Sequence, residues 1–103
     1  MLATLTSAHF GPHINHLFQI TFKATTAANL RLISVEEFPQ AAHNNSLRTP
    51  FSLLFCADDN MAIADNCFTL KHPTLGDLPD IYFNRILPPD PRDTRPHYQA
   101  VFN

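Results

Sequence analysis

At 103 residues the chain is long enough for one hydrophobic core and too short for two. Seven Lys and Arg residues, scattered singly, stand against nine Asp and Glu for a formal charge of −2, so no basic stripe exists to neutralise a run of phosphates and nucleic acid is not an expected partner. The 45% apolar content, with nine Phe and no Trp, describes a folded domain whose core volume comes from phenylalanine. The opening MLATLTSAHFGPH has neither a basic stretch nor a long apolar run, and no later segment has the length to span a bilayer. A soluble, cytoplasmic protein with no membrane partner is expected. Its two cysteines, Cys56 and Cys67, then read as free thiols rather than a disulfide framework.

In chain order, Leu2 to His13 reads as a short helix or helical turn, capped by Thr6 or Ser7 and stopped by Gly11-Pro12. Leu2, Leu5, Ala8 and Phe10 would plug one end of a sheet. From His16 the pattern alternates, with Phe18, Ile20 and Phe22 on one face and Leu17, Gln19, Thr21 and Lys23 on the other, the period of a first strand. A turn at Thr25 to Asn29 leads into a second strand, Leu30 to Phe38. There Val35 falls one residue out of phase, which a β-bulge near Ser34 would repair. Pro39 to Thr49 is a polar, breaker-rich loop.

Thr49 to Pro73 reads as a β-hairpin. Placing Phe55 opposite Phe68 sets Leu53 against Leu70 on one face, and Cys56 against Cys67 and Ser52 against Lys71 on the other. That register leaves a Cys56–Cys67 disulfide geometrically conceivable as the lesser alternative. The intervening loop carries Asp58, Asp59 and Asp65, with Met61 and Ile63 folding back on the sheet. A turn at His72-Pro73-Thr74-Leu75-Gly76 precedes a strand from Leu78 to Leu87 that buries Ile81, Phe83 and Ile86. Pro88 to Pro96, with four prolines, is an exposed extended connector. Tyr98, Ala100 and Phe102 then alternate in a last strand. Six strands and one helical segment make a single β domain over residues 1–103, an antiparallel small barrel or a two-layer sandwich.

The segments PFSLLF (Pro50 to Phe55), HPTLG (His72 to Gly76) and YQAVFN (Tyr98 to Asn103) resemble a family of small bacterial single-domain proteins catalogued as a domain of unknown function. The resemblance covers about Phe10 to Asn103 and departs from the family pattern around Cys67 and in the connector. It implies a stand-alone accessory protein, in the company of phage-tail-like or surface assemblies, and brings no reaction, cofactor or catalytic residue.

Six histidines are the most suggestive feature of the composition. His13 and His16, at i and i+3, stand on one side of a helical turn as metal ligands do, although Pro12 leaves little helix to hold them and no carboxylate or thiol follows close by; rim histidines without an ion are the plainer reading. The acidic loop offers hard oxygen ligands but has no EF-hand spacing and lacks its glycine. Glu36 and Glu37, adjacent in a strand, point to opposite faces. Cys56 has only Lys71 nearby to activate it and reads as a structural thiol.

The expectation is a non-enzymatic protein-interaction or structural accessory module without a cofactor, bound to a protein partner or to itself. Its contacts would be Ile33 and Leu54 on the outer sheet face, Arg48 in the polar loop, and Arg92 and Arg95 in the connector. The alternative is a small barrel that holds an apolar ligand or a metal ion, with His13, His16 or His72 at its mouth. The barrel interior decides between them: nine phenylalanines can fill it, and a cavity there of about 300 Å3 or more would turn the balance toward binding.

Overall fold

Chain alternation settles which side chains face inward, and a closed sheet settles where they meet. The computed structural model describes residues 5–22, 25–39, 49–57 and 63–102. A short helix α1 (Ser7–Phe10) runs into a 3-10 turn (Gly11–His13), followed by β1 (Leu17–Phe22), β2 (Thr25–Glu37), β3 (Phe51–Ala57), β4 (Asn66–His72), β5 (Gly76–Ile86) and β6 (His97–Phe102). The strands form a closed antiparallel barrel in the order β1-β2-β3-β6-β5-β4, which decides for the barrel over the sandwich. Among the described residues no helix is long and apolar enough to cross a membrane.

The expected hairpin between Phe51 and His72 does not form. β3 lies between β2 and β6, and β4 between β1 and β5, so the two strands stand on opposite walls. The inward faces were nevertheless as expected, since Leu53, Phe55, Phe68 and Leu70 are all buried. Phe55 and Phe68 meet through Phe83, at ring-centroid distances of 5.5 and 6.0 Å, instead of touching each other. Alternation specifies a face and is silent on the neighbouring strand, and chain neighbours need not be sheet neighbours. Cys56 and Cys67 accordingly lie on opposite walls, one buried and one exposed, and no disulfide joins them. Lys71, expected beside Cys56, sits by Asp77 instead.

Irregularities close the barrel. The bulge expected near Ser34 is present, with Leu32 opposite Phe55 and Ser34 opposite Leu54, so that Ile33 is the extra residue. A second irregularity between Ile20 and Thr21 turns Thr21 inward and sends Phe22 out, contrary to its expected place in the core. A third, in β5, matches Phe68 to Ile81 and Leu70 to Leu78, and Asp80 takes a positive φ of 59° within it. The Thr25 to Asn29 turn is instead the start of β2, paired to β1 from Thr25 onward; cross-strand partners override a weak local propensity. Ile63 folds back as expected, packing on the core while its N–H donates to the Tyr98 hydroxyl at 2.8 Å.

Because every pairing is antiparallel, the starts of β1, β3 and β5 share one end of the barrel with the ends of β2, β4 and β6. Phe10 of α1 plugs that end, its ring 5.8 Å from Phe51 and 5.7 Å from Phe102. Leu5 helps to fill it, Ala8 faces solvent, and Leu2 lies outside the described residues. Burying the Phe10 side chain contributes about 1.5–3 kcal/mol.

Candidate metal centre

The plugged end also gathers histidines. After the 3-10 turn, Asn15 adopts a positive φ of 74° and its N–H donates to the Leu32 carbonyl at 2.7 Å, while Leu32 N–H donates to the His16 carbonyl at 3.1 Å. These bonds pin the segment carrying His13 and His16 to β2 at its bulge. His72 arrives from the far end of the sequence as the last residue of β4, on the same inward face as Phe68 and Leu70. The closure of β4 against β1, with Lys71 opposite Gln19, delivers its ring to the start of β1. There it packs against Phe18 at 4.6 Å between centroids.

Three ring nitrogens converge. His13 Nδ1 lies 3.2 Å from His16 Nδ1, and His16 Nδ1 lies 3.3 Å from His72 Nε2. One donor atom from each ring falls within 4.8 Å of the others. A tetrahedral ion with metal–nitrogen bonds of about 2.0–2.1 Å holds its donor atoms about 3.3–3.4 Å apart, so two of the three edges already have the right length. Burial first, then the neighbouring His13 and His16 rings, lower the pKa of His72 below its ordinary 6.5. Its ring is therefore neutral at physiological pH, which is the state a metal requires.

The surroundings of His72 oppose this in one respect. Its Nδ1 accepts hydrogen bonds from the backbone N–H groups of Thr74 at 3.1 Å and Leu75 at 3.3 Å. A neutral ring that accepts at Nδ1 carries its proton on Nε2, aimed at His16. Ligation through Nε2 would require that proton to move to Nδ1 and the two amides to turn away. Two amides left without an acceptor would cost about 1–3 kcal/mol each, a penalty that binding at Nε2 would have to offset.

A groove of about 410 Å3 opens beside the centre, lined by His72, Gln19, Asn29, Lys71 and Asp77 among others. It lies against the outer wall, since the phenylalanines fill the interior. Lys71 and Asp77 pair across it at 3.6 Å, both well exposed, and such a pair adds little stability.

A family described as a domain of unknown function (DUF6916) matches residues 5–102. The chain belongs to this family. Membership spans the whole barrel and all three converging histidines, and assigns a role to none of them. No curated protein and no solved structure matches the chain.

The remaining residues singled out from the sequence are dispersed. Ile33 and Leu54 lie half-buried on the outer faces of β2 and β3. Arg92 and Arg95 fold back onto Asp90 and Asp93 at 3.2 and 2.9 Å. Arg48, His43, Asp58 and Asp59 lie outside the described residues. Asp65 accepts the Arg85 N–H at 2.9 Å, and Glu36 and Glu37 are both exposed. His9 Nδ1 accepts the Thr6 N–H at 2.9 Å at the start of α1. Sequence reasoning missed the grouping of Cys56 with Asp93 and His97, three residues brought together at the opposite end of the barrel. No local spacing signals it.

Proposed function

We propose that this protein binds a late first-row divalent ion, zinc foremost, through His13 Nδ1, His16 Nδ1 and His72 Nε2, with the open side of the ion facing the groove. The observation that carries this reading is the convergence of three imidazole nitrogens within 4.8 Å of one another, two of the three pairs at tetrahedral spacing. All-nitrogen donation suits zinc, copper or nickel and disfavours magnesium and calcium. The reading is one of binding without turnover. A groove of about 410 Å3 on the outer wall, lined in part by His72, opens beside the three rings and leaves room for a further ligand to the ion.

Isothermal titration of chelator-treated protein with zinc tests it. One equivalent is expected to bind at the rim, and His16→Ala is expected to lower rim affinity by more than the about 10- to 100-fold lost with an outer-shell partner. Equal zinc binding by the wild type and the His13→Ala/His16→Ala variant would sink the proposal.

Association through the outer sheet face is a second reading, supported by the bulge that sets Ile33 beside Leu54 at the β2–β3 boundary. Native mass spectrometry tests it: a defined oligomer that Leu54→Asp dissociates supports it, and a monomer at all concentrations defeats it.

A further inference from the structure

The other end of the barrel carries a cluster of different chemistry. Cys56 and His97 are register partners across β3 and β6. Cys56 stands out of phase with the inward Phe55 and Ala57, and yet Cys56 and His97 are only 1% and 4% exposed. The connector covers them: the Pro96 carbonyl accepts the Ala57 N–H at 2.8 Å, and Asp93 reaches within 3.8 Å of His97 Nε2 through Oδ2. One donor atom each from Cys56, Asp93 and His97 lies within 4.8 Å of the others.

The hydrogen bonds around these donors engage other atoms or leave acceptor capacity on the carboxylate. His97 Nδ1 lies 2.9 Å from the Arg95 carbonyl, which can only accept, so Nδ1 carries a proton and Nε2 is the ring nitrogen turned toward Asp93. Donation of the second ring N–H to a backbone carbonyl is the usual support of a metal-bound histidine. Asp93 is oriented by Arg95, whose Nε donates to Oδ1 at 3.1 Å, Nη2 to Oδ2 at 2.9 Å and backbone N–H to Oδ1 at 3.0 Å. Each carboxylate oxygen has a second lone pair in reserve. Cys56 Sγ, as a thiol, donates to the Ala57 carbonyl at 3.5 Å and loses its proton on ligation.

We infer that Cys56 Sγ, Asp93 Oδ2 and His97 Nε2 form a second metal site, for a zinc-class ion, which fastens the connector to the barrel wall. The thiolate and carboxylate together match the charge of a divalent cation, and the sulfur selects zinc or cobalt over magnesium and calcium. Nucleophilic catalysis by the thiol is not favoured, because a residue 1% exposed offers no approach to a substrate. The inference stands independently of the histidine rim.

The test is a cobalt(II) titration of the full chain under reducing conditions, in a His13→Ala/His16→Ala background that removes the rim nitrogens. A near-ultraviolet thiolate-to-cobalt charge-transfer band is expected at one equivalent, lost in Cys56→Ser and retained in Cys67→Ser. His97→Gln is expected to weaken cobalt binding by at least about 10-fold. Absence of the band in the folded Cys56-containing protein overturns the inference, as does a band that vanishes with Cys67→Ser instead. Should Cys56→Ser fail to fold, the Cys67→Ser and His97→Gln titrations decide it.

Discussion

The two ends of the barrel use the same atom of the same residue type in opposite senses. At the plugged end His72 Nδ1 accepts from two backbone amides of the turn that follows it. At the other end His97 Nδ1 gives its proton to the carbonyl of Arg95. The difference comes from the backbone: a tight turn after a strand presents N–H groups to the ring, whereas the connector entering β6 presents a C=O. The number of donors and their readiness are thus separate properties. The rim has three nitrogens but must move a proton before His72 can ligate, while the opposite cluster has mixed donors and a histidine whose Nδ1 already donates to a backbone carbonyl, as the support of a ligating Nε2 requires.

The largest break in this comparison is expected from the plug. Phe10 is fully buried against Phe51 and Phe102, and it lies three residues before His13. Phe10→Ala is expected to cost about 3–5 kcal/mol in denaturant unfolding. Zinc affinity at the rim should fall with it, because the segment holding His13 and His16 loses its anchor. The cobalt–thiolate band should persist in conditions where the variant stays folded. Equal loss at both ends would show that the barrel couples them.

Why the two ends were unequally visible in the sequence follows from the same topology. Alternation placed Phe18, Ile20, Phe51, Leu53, Phe55, Tyr98 and Phe102 on the inward face without knowledge of any partner strand, and all are buried. The partner strand is set by closure, on which alternation is silent. With β3 and β4 taken as a hairpin, Lys71 faced Ser52 and the adjacent His72 fell beside Phe51. In the barrel Lys71 faces Gln19, and His72 reaches His16 across 56 positions of sequence. The pair His13 and His16 was legible as a local spacing, and the third ring awaited the β1–β4 pairing. At the opposite end nothing was legible, because Asp93 joins Cys56 only through the docking of a proline-rich connector that has no periodicity to read.

Acid separates the ends more gently. The folded His72 ring takes up its proton below its ordinary 6.5, so the unfolded chain binds more protons once pH drops under that value. Its contribution is full above about 6.5, is lost as pH falls toward the folded value, and levels off beneath it. Hydrogen bonds from the Arg95 side chain, then from its backbone N–H, hold Asp93 well below its ordinary 3.8, so that contribution is present above 3.8 and lost only in stronger acid. Thermal melts of metal-free protein from neutral to strongly acidic pH should show two limbs. His72→Gln is expected to flatten the upper and Asp93→Asn the lower; a single limb untouched by His72→Gln would contradict the assignment.

The smallest expected effect is the sharpest probe, because the connector contains its own control. Asp90-Pro91-Arg92 and Asp93-Thr94-Arg95 build nearly the same structure twice: the arginine N–H donates to the aspartate Oδ1 at 2.9 and 3.0 Å, and each guanidinium closes back on the carboxylate. The first aspartate side chain is 52% exposed and the second 21%, and only the second faces His97. A solvent-exposed pair of this kind is screened and adds little stability, so Arg92→Gln should leave both stability and cobalt binding within error of the wild type. Arg95→Gln removes the shorter and less exposed of the two contacts, and it also frees the carboxylate that must stay aimed at His97 Nε2. It is therefore expected to cost little in unfolding and about 10-fold in cobalt affinity, the loss typical of an outer-shell partner. If the two variants behave alike, Asp93 is held for the connector's sake alone, and the opposite end is a packing contact rather than a site.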